Sequence, residues 1–376
     1  MKDFRKSIAH GPPRALVAGL LLALAIAWPA VAEDAFLQSA RAAVAAAAEQ
    51  NSPWTGPVSG PAAVPRKTIV YVADDLRNGG ILGAAEGARE AAAAIGWNIR
   101  VVDAQGTQAG REDAFRRALA LRPDGLIVGG MDARENLGQL RSFQLRGIPV
   151  VGWHAGPDPG PVEGTPVIAN VTTDATEVAR VAALYAVVRS NGTAGVVVFT
   201  DSNFQIAMHK AEIMAETIRR CGGCAVLEME DVAISRAADE MGAVTRRLLQ
   251  AHGARWTHSL AINDIYFDFA ASVLVLEGIP PSGRISNISA GDGSPSAFRR
   301  IRQDSYQAAT VPEPLLLQGW QLIDELNRAF AGVPPSGYIA PVHLVTPENL
   351  DAGAATRDIF DPDNGYREIY RGIWKR

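Results

Sequence analysis

Polar and aromatic side chains stand at the points along this chain where predicted β-strands end. Apolar runs are followed at once by amides and carboxylates and, in one case, by a Trp–His pair. Amide and carboxylate groups meet adjacent hydroxyls in pairs, since each hydroxyl both donates and accepts, and the C–H face of a sugar packs well on an indole. These residue types are typical of a site for a small polyhydroxylated molecule. The strand-end residues chosen for this site are Arg77, Asn78, Asp132, Trp153, His154, Asn263 and Asp292.

Helix capping is the competing explanation for the polar members of this set. Asp, Asn and Ser accept hydrogen bonds from the first N–H groups of a helix, and helical patterns follow most of these strand ends. For Trp153 and His154 the alternative is that the indole packs beneath the loop 155–166 while the imidazole faces solvent. Both explanations remain open at the level of the sequence.

Two sets of alternating elements must position these residues. Near-continuous apolar strands alternate with amphipathic helices, a pattern that predicts parallel sheets covered on both faces. Because ligands of such open sheets bind at the carboxyl ends of the strands, the polar strand ends predict a cleft between two doubly wound domains. The predicted strands are 67–73, 98–104, 125–130, 149–153 and 167–171 in the first set and 194–200, 225–230, 259–264 and 285–290 in the second.

The first 32 residues differ from the rest of the chain. A basic beginning is followed by the apolar run 15–28, which is too short for a comfortable membrane span, and then by Ala30-Val31-Ala32. This order predicts a secretory signal peptide, residues 1–32, that is cleaved after Ala32 and directs the protein to the periplasm. The alternative is an uncleaved anchor helix.

Composition excludes several classes of function. The 376 residues carry a formal net charge of −4, which argues against a nucleic-acid partner because such a partner needs a basic face. No His spacing typical of a metal site and no nucleophile elbow occurs. We therefore expect no enzymatic activity, no metal and no cofactor.

The two cysteines, Cys221 and Cys224, lie in the motif CGGC. Two close cysteines in an exported protein most often form a structural disulfide. A redox motif is the alternative, but it requires a helix N-terminus to lower the thiol pKa. Here the pair follows the helical pattern 207–220, so we predict a disulfide.

Several stretches, in their order and spacing, resemble the type I periplasmic sugar-binding proteins, the ribose- and galactose-binding family that serves ABC importers. The resemblance covers roughly residues 67–348. The stretches that carry it are PDGLIVGGMDA (123–133), GIPVVGWH (147–154), LAINDIYFDFAASVLVLEG (260–278), SAGDGS (289–294) and QAATVPEP (307–314), together with Asn78 and Gly87-Ala88.

The resemblance implies an α/β fold of two Rossmann-like, doubly wound parallel-sheet lobes joined by a three-segment hinge. Ligand is expected between the lobes, where hinge closure buries it. The crossovers fall near Thr172–Asp174, Thr310–Glu313 and Ala340–His343. The implied division is an N-terminal arm (33–66), lobe 1 (67–173 plus 312–341) and lobe 2 (174–311 plus 342–376).

The resemblance also assigns roles to individual residues. Asn78 corresponds to the first-loop ligand, Asn263 and Asp292 to the amide and carboxylate of the second lobe, and Glu313 to a hinge position that is often Gln. Lys210 falls near a family Arg that grips ring oxygens. The chain departs from the ribose binders at Trp153-His154, where they carry an Asp-Arg pair, and at Gly80 and Ile81, where the family has aromatic residues.

The function predicted from the sequence is that of an exported, monomeric solute-binding protein. It captures a monosaccharide or sugar alcohol by hinge closure and delivers it to an ABC-type permease in the inner membrane. One alternative is a periplasmic sugar sensor that presents its ligand to a membrane receptor or histidine kinase. Another is an exported enzyme on the same fold.

Overall fold

The structure is a computed structural model that describes residues 35–49, 53–281, 283–350 and 359–375. The predicted signal peptide, residues 1–32, lies outside this range. Among the described residues, no helix combines the length and the apolar composition needed to cross a bilayer.

Lobe 1 is built on a five-stranded parallel sheet with strand order β2-β1-β3-β4-β5. Its strands are β1 (Thr68–Ala73), β2 (Asn98–Asp103), β3 (Gly125–Gly129), β4 (Val150–Trp153) and β5 (Val167–Val171). Its helices are α2 (Gly79–Ala94), α3 (Gln108–Ala120), α4 (Leu137–Gln144), α10 (Leu315–Phe330) and α11 (Tyr366–Trp374). Alternate residues of β1 enter separate cores on the two faces of the sheet, Ile69 and Tyr71 on one and Val70 and Val72 on the other.

Lobe 2 repeats this topology, with strand order β10-β9-β8-β6-β7 and a single large core. Its strands are β6 (Gly195–Thr200), β7 (Ala225–Asp231), β8 (His258–Ala261), β9 (Ser286–Ser289) and β10 (Ala309–Thr310). Its helices are α5 (Ala175–Arg189), α6 (Gln205–Arg219), α7 (Ala237–His252), α8 (Ile265–Leu276) and α9 (Pro295–Arg302), with a 3-10 turn at Ile234–Arg236 before α7. The predicted fold class is confirmed.

Two glycines let α2 and α10 approach closely. A Cβ atom on Gly87 would lie 2.5 Å from the carbonyl oxygen of Leu316, and one on Gly319 would lie 2.3 Å from the backbone nitrogen of Ala88. Any side chain at either position would therefore push the helices apart. This contact matters for the cleft because α2 begins at the loop after β1 and α10 begins directly after Glu313.

Both ends of the chain contact both lobes. Helix α1 (35–47) packs on lobe 2, where Leu344 N donates to Ala47 O at 2.8 Å. Residues 53–66 pack instead on lobe 1, where Ala63 N donates to Trp374 O at 2.9 Å. We call residues 35–49 and 53–66 together the N-terminal strap.

The C-terminal segment divides between the lobes in the same way. Val345 pairs with Thr310 of lobe 2, whereas α11 packs on lobe 1 and stacks Trp374 on Trp320 of α10 with ring centroids 5.3 Å apart. The predicted boundary placed 342–376 entirely in lobe 2. The structure differs because α11 buries an aromatic face against α10. We call residues 342–350 and 359–375 together the C-terminal strap.

The sulfur atoms of Cys221 and Cys224 are bonded, as the CGGC motif predicts. The pair closes a turn directly after α6, and Cys221 is buried in the core of lobe 2. The disulfide therefore fixes the C-terminal end of α6, the helix that carries Lys210.

Candidate functional site

A cleft of about 450 Å³, including its open mouth, lies between the two lobes at the carboxyl ends of their strands. Lobe 1 contributes Asn78, Ile81, Gly130, Trp153 and His154, and lobe 2 contributes Phe204, Ile206, Ala207, Lys210, Ile234, Ile262, Asn263 and Asp292. We call this space the inner cleft. The structure thus brings together most of the residues chosen from the sequence.

Arg77 and Asp132 do not line the inner cleft. The Arg77 guanidinium lies 2.6 Å from Asp75 Oδ2, and its side chain is 66% exposed. The Asp132 carboxylate accepts hydrogen bonds from Arg134 N at 2.7 Å and Glu135 N at 3.4 Å. Asp132 thus stabilises the turn before α4 and does not cap that helix, whose N-cap residue is Asn136.

Asn78 has two roles at once. As the N-cap of α2, its Oδ1 accepts a hydrogen bond from Gly80 N at 2.9 Å. Its Nδ2 group has no partner among the described residues and belongs to the cleft wall. The capping bond fixes the amide, so the free donor is held in one orientation.

Trp153 and His154 stand together at the end of β4. Their rings stack with centroids 3.8 Å apart and an angle of 9° between the planes. Trp153 is 1% exposed, and its Nε1 donates to Gln318 Oε1 at 2.7 Å. The indole therefore serves as a fixed platform that offers His154 to the cleft, with little free surface of its own.

His154 has an unusual backbone conformation. Its φ angle of 52° lies in the left-handed region, which costs a non-glycine residue about 1–3 kcal/mol. Such a conformation persists only where the surroundings enforce it, and Asn170 does so by accepting from Ala155 N at 2.8 Å and donating to Gly156 O at 3.0 Å. The imidazole does not face solvent, since its side chain is only 8% exposed.

Glu313 lies beneath the cleft floor, at the hinge, with its side chain fully buried. Its Oε1 accepts from Thr173 Oγ1 at 2.7 Å, and its Oε2 accepts from Gln318 Nε2 at 2.6 Å. His154 Nε2 and Lys210 Nζ lie 3.4 and 3.9 Å from Oε1. Burial alone would raise the pKa of Glu313, but His154, Lys210 and Thr173 outweigh it and lower the pKa to about 2. The residue is therefore a carboxylate that binds both lobes to the hinge and does not line the cleft.

Lys210 reaches the cleft from α6 of lobe 2. Its side chain is 4% exposed, and Nζ donates to Ala290 O at 3.1 Å. An ammonium group has three protons to donate, so donors remain for a molecule in the cleft.

Asn263 and Asp292 form a pair on the wall of lobe 2. Asn263 Nδ2 donates to Asp292 Oδ2 at 2.9 Å, and Asn263 Oδ1 accepts from Ile265 N at 3.0 Å. Burial raises the pKa of Asp292 even though His154 and Lys210 act to lower it. The pair offers a cleft molecule one carboxyl group held in a fixed position.

The two lobes touch beside this carboxyl group. A Cβ atom on Gly80 of lobe 1 would lie 2.3 Å from Asp292 Oδ2, so no larger residue fits there without a shift. Gly80 stands where the resemblance leads one to expect an aromatic side chain. Glycine in place of an aromatic residue allows the backbone of lobe 1 to contact Asp292 directly.

The choice of polar strand ends missed the apolar walls of the inner cleft. Phe204, Ile234 and Ile262 line it from lobe 2, each only a few residues beyond the end of a strand. The strand-end rule that selected the polar residues could have found them, had it been applied to apolar residues as well. Phe204 is the more accessible aromatic ring of the cleft, since it is only partly buried.

The chain matches one known protein family over most of its length. A family model described as "Periplasmic binding protein domain" matches residues 69–332. The chain belongs to this periplasmic binding protein family. The family predicted from the sequence is confirmed, and the match spans strands of both lobes. A search of curated protein sequences finds no match.

Solved structures share the fold at low sequence identity. A galactofuranose binding protein is 17% identical, covers 82% of this chain and 98% of its own, and has a TM-score of 0.66. An ABC transporter solute binding protein from Bacillus halodurans C-125 with bound myo-inositol is 18% identical, with coverages of 76% and 96% and a TM-score of 0.64. A XylFII-LytSN complex contains a chain that is 17% identical, with coverages of 76% and 100% and a TM-score of 0.65.

Proposed function

We propose that this protein captures a neutral monosaccharide or sugar alcohol between its lobes and delivers it to an ABC-type permease. The observation that carries the proposal is the composition of the inner cleft. Both lobes contribute fixed polar groups to one space, so a ligand that satisfies them all holds the lobes together. Capture by closure needs no covalent chemistry.

The polar groups match the hydrogen-bonding capacity of hydroxyls. Asn78 Nδ2 and Lys210 Nζ supply donors, and the Asp292 carboxyl group supplies acceptors. A hydroxyl can use either kind of partner, and neighbouring hydroxyls can use both at once. Phe204 and Ile234 provide apolar surface for the C–H faces of the same molecule.

The charges at the floor favour a neutral ligand. Lys210 is already compensated by Glu313, which remains ionised. The Lys210–Glu313 pair has no net charge, and burial raises the pKa of Asp292, which favours the neutral form of its carboxyl group. Since burying an uncompensated charge is costly, a hydroxylated molecule without charge fits this balance best.

The relatives support the transport role. One is a galactofuranose binding protein, and another is an ABC transporter solute binding protein with bound myo-inositol. The predicted signal peptide supports the same role, since an importer's binding protein must meet its ligand outside the inner membrane. A permease and an ATPase encoded beside this chain would support it further.

Sensing is the second candidate function. XylFII, a chain of this fold, occurs in a complex with LytSN, so the fold can present itself to a second protein. A sensor would use the same cleft and would differ only in its partner. A gene for a histidine kinase next to this one would favour sensing over transport.

The test is a thermal-shift screen of the purified protein against aldoses, ketoses, polyols, amino acids and nucleosides. A ligand that binds only the folded state raises the melting temperature by mass action. We expect hits among sugars or polyols that disappear in Asn263→Ala and persist in the control Asn98→Ala, whose side chain is exposed at the start of β2. Hits confined to amino acids or nucleosides would refute the proposed ligand class.

A further inference from the structure

We propose that the protein has a second sugar subsite and prefers neutral disaccharides or glycosides to free monosaccharides. This inference rests on the proposed function and narrows its ligand class. It starts from a second cavity of about 950 Å³, including its opening, at the outer side of the inner cleft. We call this cavity the outer chamber.

The outer chamber adjoins the inner cleft. They share four wall residues, of which Asn78 and Ile81 belong to lobe 1 and Phe204 and Ile234 to lobe 2. These four residues form a waist between the two spaces. A molecule that extends from the inner cleft into the outer chamber would pass these four residues and stay in contact with both lobes.

The waist suits a glycosidic linkage. Three of its four side chains are apolar, and Asn78 supplies its one side-chain donor, the Nδ2 group that lacks a partner among the described residues. A glycosidic oxygen accepts hydrogen bonds and cannot donate them, so it needs no hydrogen-bond acceptor from the waist residues. A hydroxyl at the same place would find one side-chain acceptor in the waist, the second lone pair of Asn78 Oδ1, because the first accepts from Gly80 N.

The outer chamber is built from fixed carboxylates. Asp74 is 1% exposed and accepts from Arg111 Nε at 2.5 Å. Asp201 is 1% exposed and accepts from Ile234 N at 2.8 Å. Because their partners hold them in place, these groups need no reordering to accept bonds from the hydroxyls of a second sugar ring.

The charge of the outer chamber selects against anionic substituents. Asp74 and Asp75 are paired with Arg111 and Arg77, and Arg236 lies 3.0 Å from Glu240. Asp201 is therefore the lining carboxylate that has no ion pair among the described residues. A phosphate or carboxylate attached to the ligand would meet an excess of negative charge. A neutral hydroxylated unit would instead find carboxylate acceptors.

Amide and hydroxyl groups complete the lining. Asn203 Oδ1 and the Ser235 hydroxyl have no hydrogen-bond partners among the described residues. Ser235 lies on the exposed 3-10 turn before α7, at the edge of the chamber. Substitution at this position can therefore fill the chamber without disturbing a core.

The experiment is isothermal titration calorimetry on the full chain with matched sugars. The probes are glucose, galactose and arabinose, the methyl glycosides of glucose and galactose, and the disaccharides cellobiose, lactose and melibiose. We expect at least one disaccharide to bind tenfold or more tightly than either of its component sugars. The methyl glycosides separate the loss of the anomeric hydroxyl from the gain of a second ring.

Variants locate the second ring. Ser235→Trp should weaken disaccharide binding tenfold or more and change monosaccharide binding less than twofold, and Asn203→Ala should act in the same direction. The control Ser272→Trp, on the exposed side of α8, should change neither. Monosaccharides that bind as tightly as disaccharides, or disaccharide binding that Ser235→Trp leaves intact, would overturn the subsite and leave the proposed function standing. Absence of binding by any sugar or polyol, including the hits expected from the thermal-shift screen, would overturn both.

Discussion

The substitution Glu313→Gln tests whether the buried carboxylate beneath the cleft stabilises the hinge. Gln has nearly the same shape and can still accept from Thr173 Oγ1, but its amide nitrogen replaces the oxygen that accepts from Gln318 Nε2. The substitution therefore removes the charge and one hydrogen bond. The pKa of Glu313 falls from 4.5 to about 2 on folding. Since each pKa unit corresponds to about 1.4 kcal/mol, ionised Glu313 adds about 3 kcal/mol to the free energy of unfolding at pH 7.

The sign of the pH dependence follows from the lowered pKa. Above about pH 4.5 the carboxylate is ionised in both states, and its stabilising effect is fully present. As the pH falls toward 2 the unfolded state takes up the proton first, so the stabilisation is lost. The lost hydrogen bond does not titrate, so we expect the difference between wild type and Glu313→Gln to be at least about 3 kcal/mol at pH 7 and to shrink by about 2 kcal/mol at pH 3.

Urea denaturation at both pH values measures this difference. The matched control is Glu163→Gln, which removes an exposed carboxylate from the loop between β4 and β5 and should change the free energy of unfolding by less than about 0.5 kcal/mol. A Glu313→Gln variant that loses less than about 1 kcal/mol at pH 7 would refute the reasoning. A loss of equal size at both pH values would also refute it, because a purely steric effect does not titrate.

Three further predictions concern other parts of the molecule. Gly80→Ala should lower sugar affinity at least tenfold, because its Cβ atom meets Asp292, while the melting temperature stays the same or rises, since Ala favours the helix; calorimetry and thermal melting measure the two effects. Trp153→Phe leaves Gln318 Oε1 without its donor and should lower the free energy of unfolding by about 1–3 kcal/mol in urea. Burial lowers the pKa of His343 to about 4, so stability is lost as the pH falls from about 6.5 toward 4, and His343→Gln should remove about 2 kcal/mol of the wild type's loss between pH 7 and 4.5.

The periodicity of the strands predicted most of the fold. The polar residues at the strand ends predicted part of the site. Asn78 and Asp132 show the limit of prediction from strand-end polarity, because both follow a strand and precede a helix. Asn78 caps its helix and also lines the inner cleft, whereas Asp132 only stabilises a turn. One pattern of residues serves both roles, so only the three-dimensional placement separates them.

Long-range contacts account for the rest. Nothing in the sequence around Glu313 indicates that its partners are Lys210 and His154, which lie more than a hundred residues away. The assignment of the C-terminal helix to the wrong lobe has a similar cause. The apolar face of this helix can be recognised in the sequence. The surface on which it packs, around Trp320, is determined by tertiary packing.

The two straps place reporters for lobe motion at convenient points. Helix α1 is fixed to lobe 2 and helix α11 to lobe 1, so Ser39 and Glu368, exposed on these helices, move with different lobes. The chain's only two cysteines are joined in the disulfide, so cysteines introduced at these two positions would be the free thiols available for labelling. A donor and acceptor dye attached there would convert lobe closure into a change of energy transfer. The protein therefore offers a fluorescent readout of its own ligand without any insertion into either lobe.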